Sequence, residues 1–156
     1  MSLELVLNGG LLIGCFVGME GVAWFTHKYV MHGFLWFVHR DHHRRDEPGF
    51  FERNDFFFLL FAAPGMALIY GGSLGGYWPG LVWMGSGIAF YGLCYLLVHD
   101  LFIHQRLSIF SKKATQPYLS ALRRAHRLHH RHLDREEGEC FGMLWVPRRL
   151  LGAEPR

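Results

Sequence analysis

Apolar positions in this chain fall into long blocks that lack a polar face. Residues 5–25 are interrupted only by Asn8 and Glu20, and residues 56–99 contain no Asp, Glu, Lys or Arg. Those 44 uncharged residues are too many for one core helix. They suit two membrane helices of roughly 20 residues each. Gly71-Gly72-Ser73-Leu74-Gly75-Gly76-Tyr77-Trp78-Pro79-Gly80 divides them, since Gly and Pro punctuate helices. The pattern predicts spans near 5–25, 56–74 and 81–99 in an all-α, integral membrane helical bundle. Pro64 lies inside the second span, where a membrane helix tolerates it as a kink. A soluble bundle of buried helices is disfavoured, because no solvated helix face is available. The first span has no basic n-region and no small-residue cleavage site before Trp24-Phe25-Thr26-His27, so it reads as a retained helix rather than a signal peptide.

Charge sorts strongly along the chain. Residues 1–26 and 56–99 hold no Lys or Arg; residues 27–55 hold five and residues 100–156 hold eleven. The positive-inside rule therefore puts both basic segments on the cytoplasmic side and the 71–80 turn outside, an alternation that three spans satisfy. Tyr70, Tyr77, Trp78 and Trp83 then form an aromatic belt at the outer interface. The 156 residues allow one domain, 1–156, and the 51% hydrophobic content excludes a disordered chain. A net charge of +3 gives no case for nucleic-acid binding. Cys15, Cys94 and Cys140 are far apart and suggest neither a disulfide framework nor a cysteine zinc site. Small residues at Gly14 and Gly18, and at Gly85, Ser86 and Gly87, would let helices approach closely.

Ten of the eleven histidines form a pattern that occurs twice. His27 and His32 read H-x4-H, and His39, His42 and His43 read H-x2-H-H. His99 and His104, then His126, His129 and His130, repeat both motifs. The two sets occupy cytoplasmic segments 27–55 and 99–132. A lone histidine at a membrane edge is ordinarily interfacial, and a basic stretch ordinarily contacts lipid headgroups. Neither accounts for a repeated pattern with identical internal spacing, so these ten residues are read as metal ligands. His132 stands outside the pattern and reads as an ordinary surface residue. The offsets in H-x2-H-H put three rings on one helix face, within reach of a common centre. H-x4-H turns about 140° on an ideal α-helix, so its rings converge only at a helix end or in a π-helical widening, or else serve different metals.

Imidazole suits Zn, Cu, Fe and Ni. Ten ligands exceed what one ion takes and suit two. The sequence has neither H-E-x-x-H nor Glu-x-x-His, the marks of zinc proteases and of soluble carboxylate di-iron bundles. Acids should orient the rings through their second nitrogen; the candidates are Asp55, Asp100, Glu52 and Asp41, with Asn54 as a neutral partner. Glu20, ionisable within a span, is a candidate for a role near the metals or the substrate mouth, or for a pair within the bundle. Phe16, Phe61, Phe90, Tyr91 and Tyr95 are candidates to line a channel from the bilayer.

This histidine pattern on a small membrane protein resembles the fatty acid hydroxylase/sterol desaturase superfamily. Trp24-Phe25-Thr26-His27-Lys28-Tyr29-Val30-Met31-His32-Gly33, Phe51-Glu52-Arg53-Asn54-Asp55, Leu97-Val98-His99-Asp100, His104-Gln105-Arg106 and Ala125-His126-Arg127-Leu128-His129-His130 resemble, within it, the bacterial carotenoid hydroxylases. Leu101 departs from the glycine found there in many relatives, which bears on substrate range more than on chemistry. The resemblance implies a mono-oxygenase with two non-haem Fe ions and O2 as co-substrate. It would hydroxylate C3 of the β-ionone rings of β-carotene, through β-cryptoxanthin to zeaxanthin. It also implies a carotenoid substrate held in the bilayer and electrons from ferredoxin and its NAD(P)H-ferredoxin reductase, with the basic tail available to dock an acidic donor or anionic lipid. Alternatives are a sterol or fatty acyl hydroxylase or desaturase of the same superfamily, a membrane metal transporter, and a haem protein.

Overall fold

A computed structural model describes residues 2–44, 49–107, 116–133 and 136–152. Arg45, Lys112, Lys113, Arg135 and Arg156, part of the basic segments, lie outside these. The described residues form helices and the loops that join them, with no strand among them. Helix α1 covers Leu3–Phe25 and runs on as a π-helical stretch, π1, over Thr26–Phe34. Helix α2 covers Trp36–Arg44, α3 Asp55–Ser73 and α4 Gly80–Tyr95. The fourth continues as π2, Leu96–Ile103. Helix α5 covers Pro117–His129 and α6 Arg148–Leu151.

Three helical segments, Leu3–Phe34, Asp55–Ser73 and Gly80–Ile103, are long and apolar enough to cross a membrane. By that measure the protein is an integral membrane protein. The predicted spans match closely at their starts. The first and third differ from expectation in running on through π turns, which carry His27, His32 and His99 within the same continuous segments. Pro64 does not break α3.

The chain divides into two compact units, Met1–Met19 with Asp55–Cys94, and Glu20–Asn54 with Tyr95–Arg156. The first is built on close backbone approach. A Cβ on Gly85 would lie 2.5 Å from the Gly65 carbonyl oxygen, and one on Gly87 would lie 2.4 Å from that of Leu12. Gly85 and Gly87 thus act as the sequence suggests. Gly14 and Gly18 do not: nothing lies within 4 Å of a Cβ placed there. Leu3, Leu5, Leu7, Ile13 and Val17 of α1 are likewise exposed, as side chains facing lipid would be. Phe16 packs on Phe90 and Tyr91, with ring centroids 5.3 and 5.7 Å away.

The second unit carries the histidines. Its apolar core joins Ala121, Leu122 and Ala125 of α5 to Val146, with Val98, Ile103 and Leu150 packed against them. The Gln116 side chain caps α5 by accepting from the Leu119 amide at 2.7 Å, and Pro117 occupies the first turn, where a missing N–H costs nothing. Residues 121, 122, 125, 126 and 129 are all buried, so one α5 face supplies both core and histidines.

Candidate metal centre

The π-helical stretches settle the geometry of the H-x4-H motifs. A π turn closes between residues i and i+5, which matches this spacing. The His104 amide donates to the His99 carbonyl at 2.9 Å, bonding the motif's two ends directly. The rings follow: His27 and His32 centroids lie 5.2 Å apart, and those of His99 and His104 lie 4.6 Å apart. The chain then kinks at Gly33, whose backbone is non-helical, and enters α2.

The imidazoles gather into two groups. His27, His32, His39, His43 and His129 bring one ligand atom each within 4.8 Å of one another, as do His42, His99, His104 and His126. His130 bridges them. Its ring stacks on His43 at 4.2 Å and lies 4.4 Å from His126. The three rings of each H-x2-H-H motif, within reach of a common centre by their spacing, divide between the two groups. On α2, His39 and His43 are four residues apart and face the first group, while His42 turns to the second. On α5, His126 and His129 part in the same way. Setting 27, 32, 39, 42 and 43 against 99, 104, 126, 129 and 130 gives an internal repeat in which each half lends one histidine to the other's group.

Most of these rings have a partner on Nδ1. In the first group, His27 Nδ1 donates to the Phe141 carbonyl at 2.9 Å, His32 to that of Leu133 at 2.9 Å, and His129 to that of Glu139 at 3.2 Å. His39 Nδ1 donates to Asn54 Oδ1 at 2.6 Å. In the second group the partners are carboxylates: His42 donates to Glu52 at 2.8 Å and His99 to Asp100 at 2.7 Å. Arg106 pairs with Glu52 at 3.0 Å and lies 3.9 Å from Asp100. The first group is therefore ringed by neutral acceptors and the second by two acids and one guanidinium.

With Nδ1 carrying the proton, Nε2 presents a bare lone pair. Yet His27 and His39 bring these atoms to 3.1 Å, and His32 and His129 to 3.2 Å. Two lone pairs face each other in each case, so these contacts are not hydrogen bonds. Two ligands on one ion with metal–nitrogen bonds of about 2.1 Å would stand roughly 3.0–3.4 Å apart. Buried His42 Nε2, His43 Nδ1 and His130 Nε2 have no hydrogen-bond partner either. The donor set fits metal ions. Burial, followed by repulsion from neighbouring imidazoles, holds His42, His43 and His126 far below the ordinary value of 6.5. Burial also pushes His39 down to about 3, against a raising hydrogen bond from Asn54; it pushes His129 to about 2 and His130 to about 4. All are held in the neutral form that binds metal.

The other candidates divide. Asn54, Glu52 and Asp100 contact histidines as expected. Asp41 instead accepts from the Arg53 backbone amide at 2.6 Å, tying down the loop that carries Glu52. Asp55 begins α3. Glu20 binds backbone amides of residues 143–145 rather than a histidine. His132 faces Glu137 at 3.9 Å, outside both groups. Tyr95 stacks on His99 at 4.5 Å. Three contributors escaped the sequence: the carbonyls of Leu133, Glu139 and Phe141, which no side-chain pattern reveals; the Phe141 ring, 5.1 Å from His129; and Trp36, 5.2 Å from His32. Trp36 lies three residues before His39, one helical turn away, and that spacing was the available signal.

The chain belongs to the fatty acid hydroxylase family, which matches residues 12–149. Within it the resemblance is to carotenoid enzymes. Over 142 residues the chain is 43% identical to the Beta-carotene hydroxylase of Pseudescherichia vulneris, covering 91% of this chain and 78% of that protein. It is 42% identical to the Beta-carotene hydroxylase of Pantoea ananas, covering 91% and 79%. It is also 37% identical to Beta-carotene 3-hydroxylase 2, chloroplastic, of Arabidopsis thaliana, covering 95% of this chain and 48% of that one. No solved structure matches the chain.

Proposed function

We propose that this protein is a membrane mono-oxygenase that hydroxylates C3 of the β-ionone rings of β-carotene, giving β-cryptoxanthin and then zeaxanthin. One observation carries the reading. Two groups of histidines bring their ligand atoms within 4.8 Å of one another, and in the first group bare Nε2 atoms face each other, on a chain 43% identical to a bacterial β-carotene hydroxylase. In this reading residues 1–156 work as one domain. His27, His32, His39, His43 and His129 hold one non-haem iron, and His42, His99, His104 and His126, with His130 alongside, hold the other. Bound iron supplies O2 activation and removal of a hydrogen from an unactivated C–H bond, which no side chain performs.

The protein's own contribution is donors and position. Burial keeps the rings neutral, Nδ1 partners orient six of the ten rings, and Phe141 and Trp36 pack beside the first group. The substrate dissolves in the bilayer, so a ring end reaches the site without crossing water. The sorting of Lys and Arg supports a metal site on the cytoplasmic side. Exposed Arg40, Arg44, Arg127, Arg131, Arg148 and Arg149 support docking of an acidic electron donor, with ferredoxin and its NAD(P)H-dependent reductase as the proposed source.

Expression in β-carotene-making bacteria, followed by pigment chromatography, tests the function. The parent is expected to yield zeaxanthin and His129→Ala to leave β-carotene unchanged. Unchanged carotenoid with the parent would favour a fatty acyl or sterol substrate.

A further inference from the structure

Glu20 is the one acidic or basic side chain inside the first apolar block, residues 5–25, and the proposed chemistry leaves it without a task. Its carboxylate accepts from three successive backbone amides. Oε1 takes Met143 at 3.0 Å, Leu144 at 3.1 Å and Trp145 at 2.8 Å, and Oε2 takes Leu144 at 3.0 Å. Consecutive N–H groups aimed at one anion form a nest, and charge-assisted bonds of this kind are stronger than neutral ones. The preceding residue is Gly142, where an added Cβ would lie 2.6 Å from Oε1 and push on the carboxylate.

The segment held in this way orients two rings of the five-histidine group. Its Glu139 and Phe141 carbonyls receive the protons of His129 and His27, and its Phe141 ring packs against His27, His32 and His129. Between the two carbonyls Cys140 adopts a left-handed backbone at φ 59°, a conformation that non-glycine residues keep only when their surroundings enforce it. In the four-histidine group, His42 and His99 are oriented instead by Glu52 and Asp100.

We infer that Glu20 is a positioning residue for one metal site only: by clamping residues 143–145 it fixes the Glu139 and Phe141 carbonyls, and through them His129 and His27. This rests on the reading that each histidine group holds one ion. Iron(II) bound per chain is therefore counted first on the purified parent in detergent, where two are expected. Glu20→Ala should hold one. Combined with His104→Ala it should hold none, whereas combined with His32→Ala it should still hold one, because both changes then strike the same site. Glu20→Gln, which keeps an acceptor oxygen, should retain both ions but release one at a roughly ten-fold lower chelator concentration. If Glu20→Ala does not accumulate, Gly142→Ala decides, since it pushes on the carboxylate without removing it and should weaken the same single ion. Two ions with the parental release profile in Glu20→Ala, or equal loss from both sites, would overturn the inference while leaving the metal reading intact. A parent that binds no iron would overturn both.

Discussion

At the scale of single residues the two histidine groups differ in what stands behind the rings. Carbonyls and the Asn54 amide back the first group, while Glu52 and Asp100 back the second. An ionised partner raises the basicity of a metal-bound imidazole and adds negative charge near a dication; removal of such partners commonly lowers metal affinity about 10–100-fold. Glu52→Gln preserves an acceptor for His42 but takes away the charge, leaving Arg106 to offset Asp100. The four-histidine site should then lose its ion at about ten-fold lower chelator concentration, with the five-histidine site unmoved. A chelator titration followed by metal counting checks this. The acids themselves were legible as polar residues close to histidines in sequence. Asp41 was equally close, yet it bonds a backbone amide. Proximity along the chain identifies candidates; the folded backbone decides which of them faces a ring.

Among the elements, the helical boundaries and the H-x4-H motifs were the most legible. An offset of five demanded either a helix end or a widened turn, and π1 and π2 supply the widened turn. The H-x2-H-H motifs were less legible, because a shared helix face does not fix a shared target. An α-helix at the boundary between two sites presents adjacent strips of that face to each, and α2 and α5 both do so. Glycine spacing was similarly ambiguous. Gly85 meets the Gly65 backbone, while Gly18 meets nothing, and no sequence rule separates a glycine facing a helix from one facing lipid. The two should respond oppositely to alanine. Gly18→Ala removes the entropic cost of glycine and should stabilise by about 0.5–1 kcal/mol. Gly85→Ala drives a methyl into backbone and should destabilise by about 1–3 kcal/mol. Thermal unfolding in detergent, followed by helical circular dichroism, compares them.

For the molecule as a whole, the apolar blocks and charge sorting made the three candidate spans readable, and the repeated motifs made a clustering of histidines readable. The crossing of histidines between repeats was not, since it depends on how distant segments meet. That crossing concentrates buried imidazoles and sets the pH response. His39 and His130 stay neutral down to about 3 and about 4, whereas unfolded histidines protonate near 6.5. Between those limits the unfolded chain binds more protons, so metal-free protein should lose stability as pH falls below about 6.5. The loss is up to about 1.4 kcal/mol per pH unit for each such histidine, and these groups contribute no slope above that value. Melting temperatures of chelated protein at about pH 5 and about pH 7.5 test the sign. The crossing also orders events during biosynthesis. A nascent chain has made four rings of the first group by residue 43, yet the carbonyls that aim His32 and His27 lie 101 and 114 residues further along. The first pocket waits for Phe141 and the second for His126 to leave the ribosome, so an ion captured earlier in translation would meet a half-built cage.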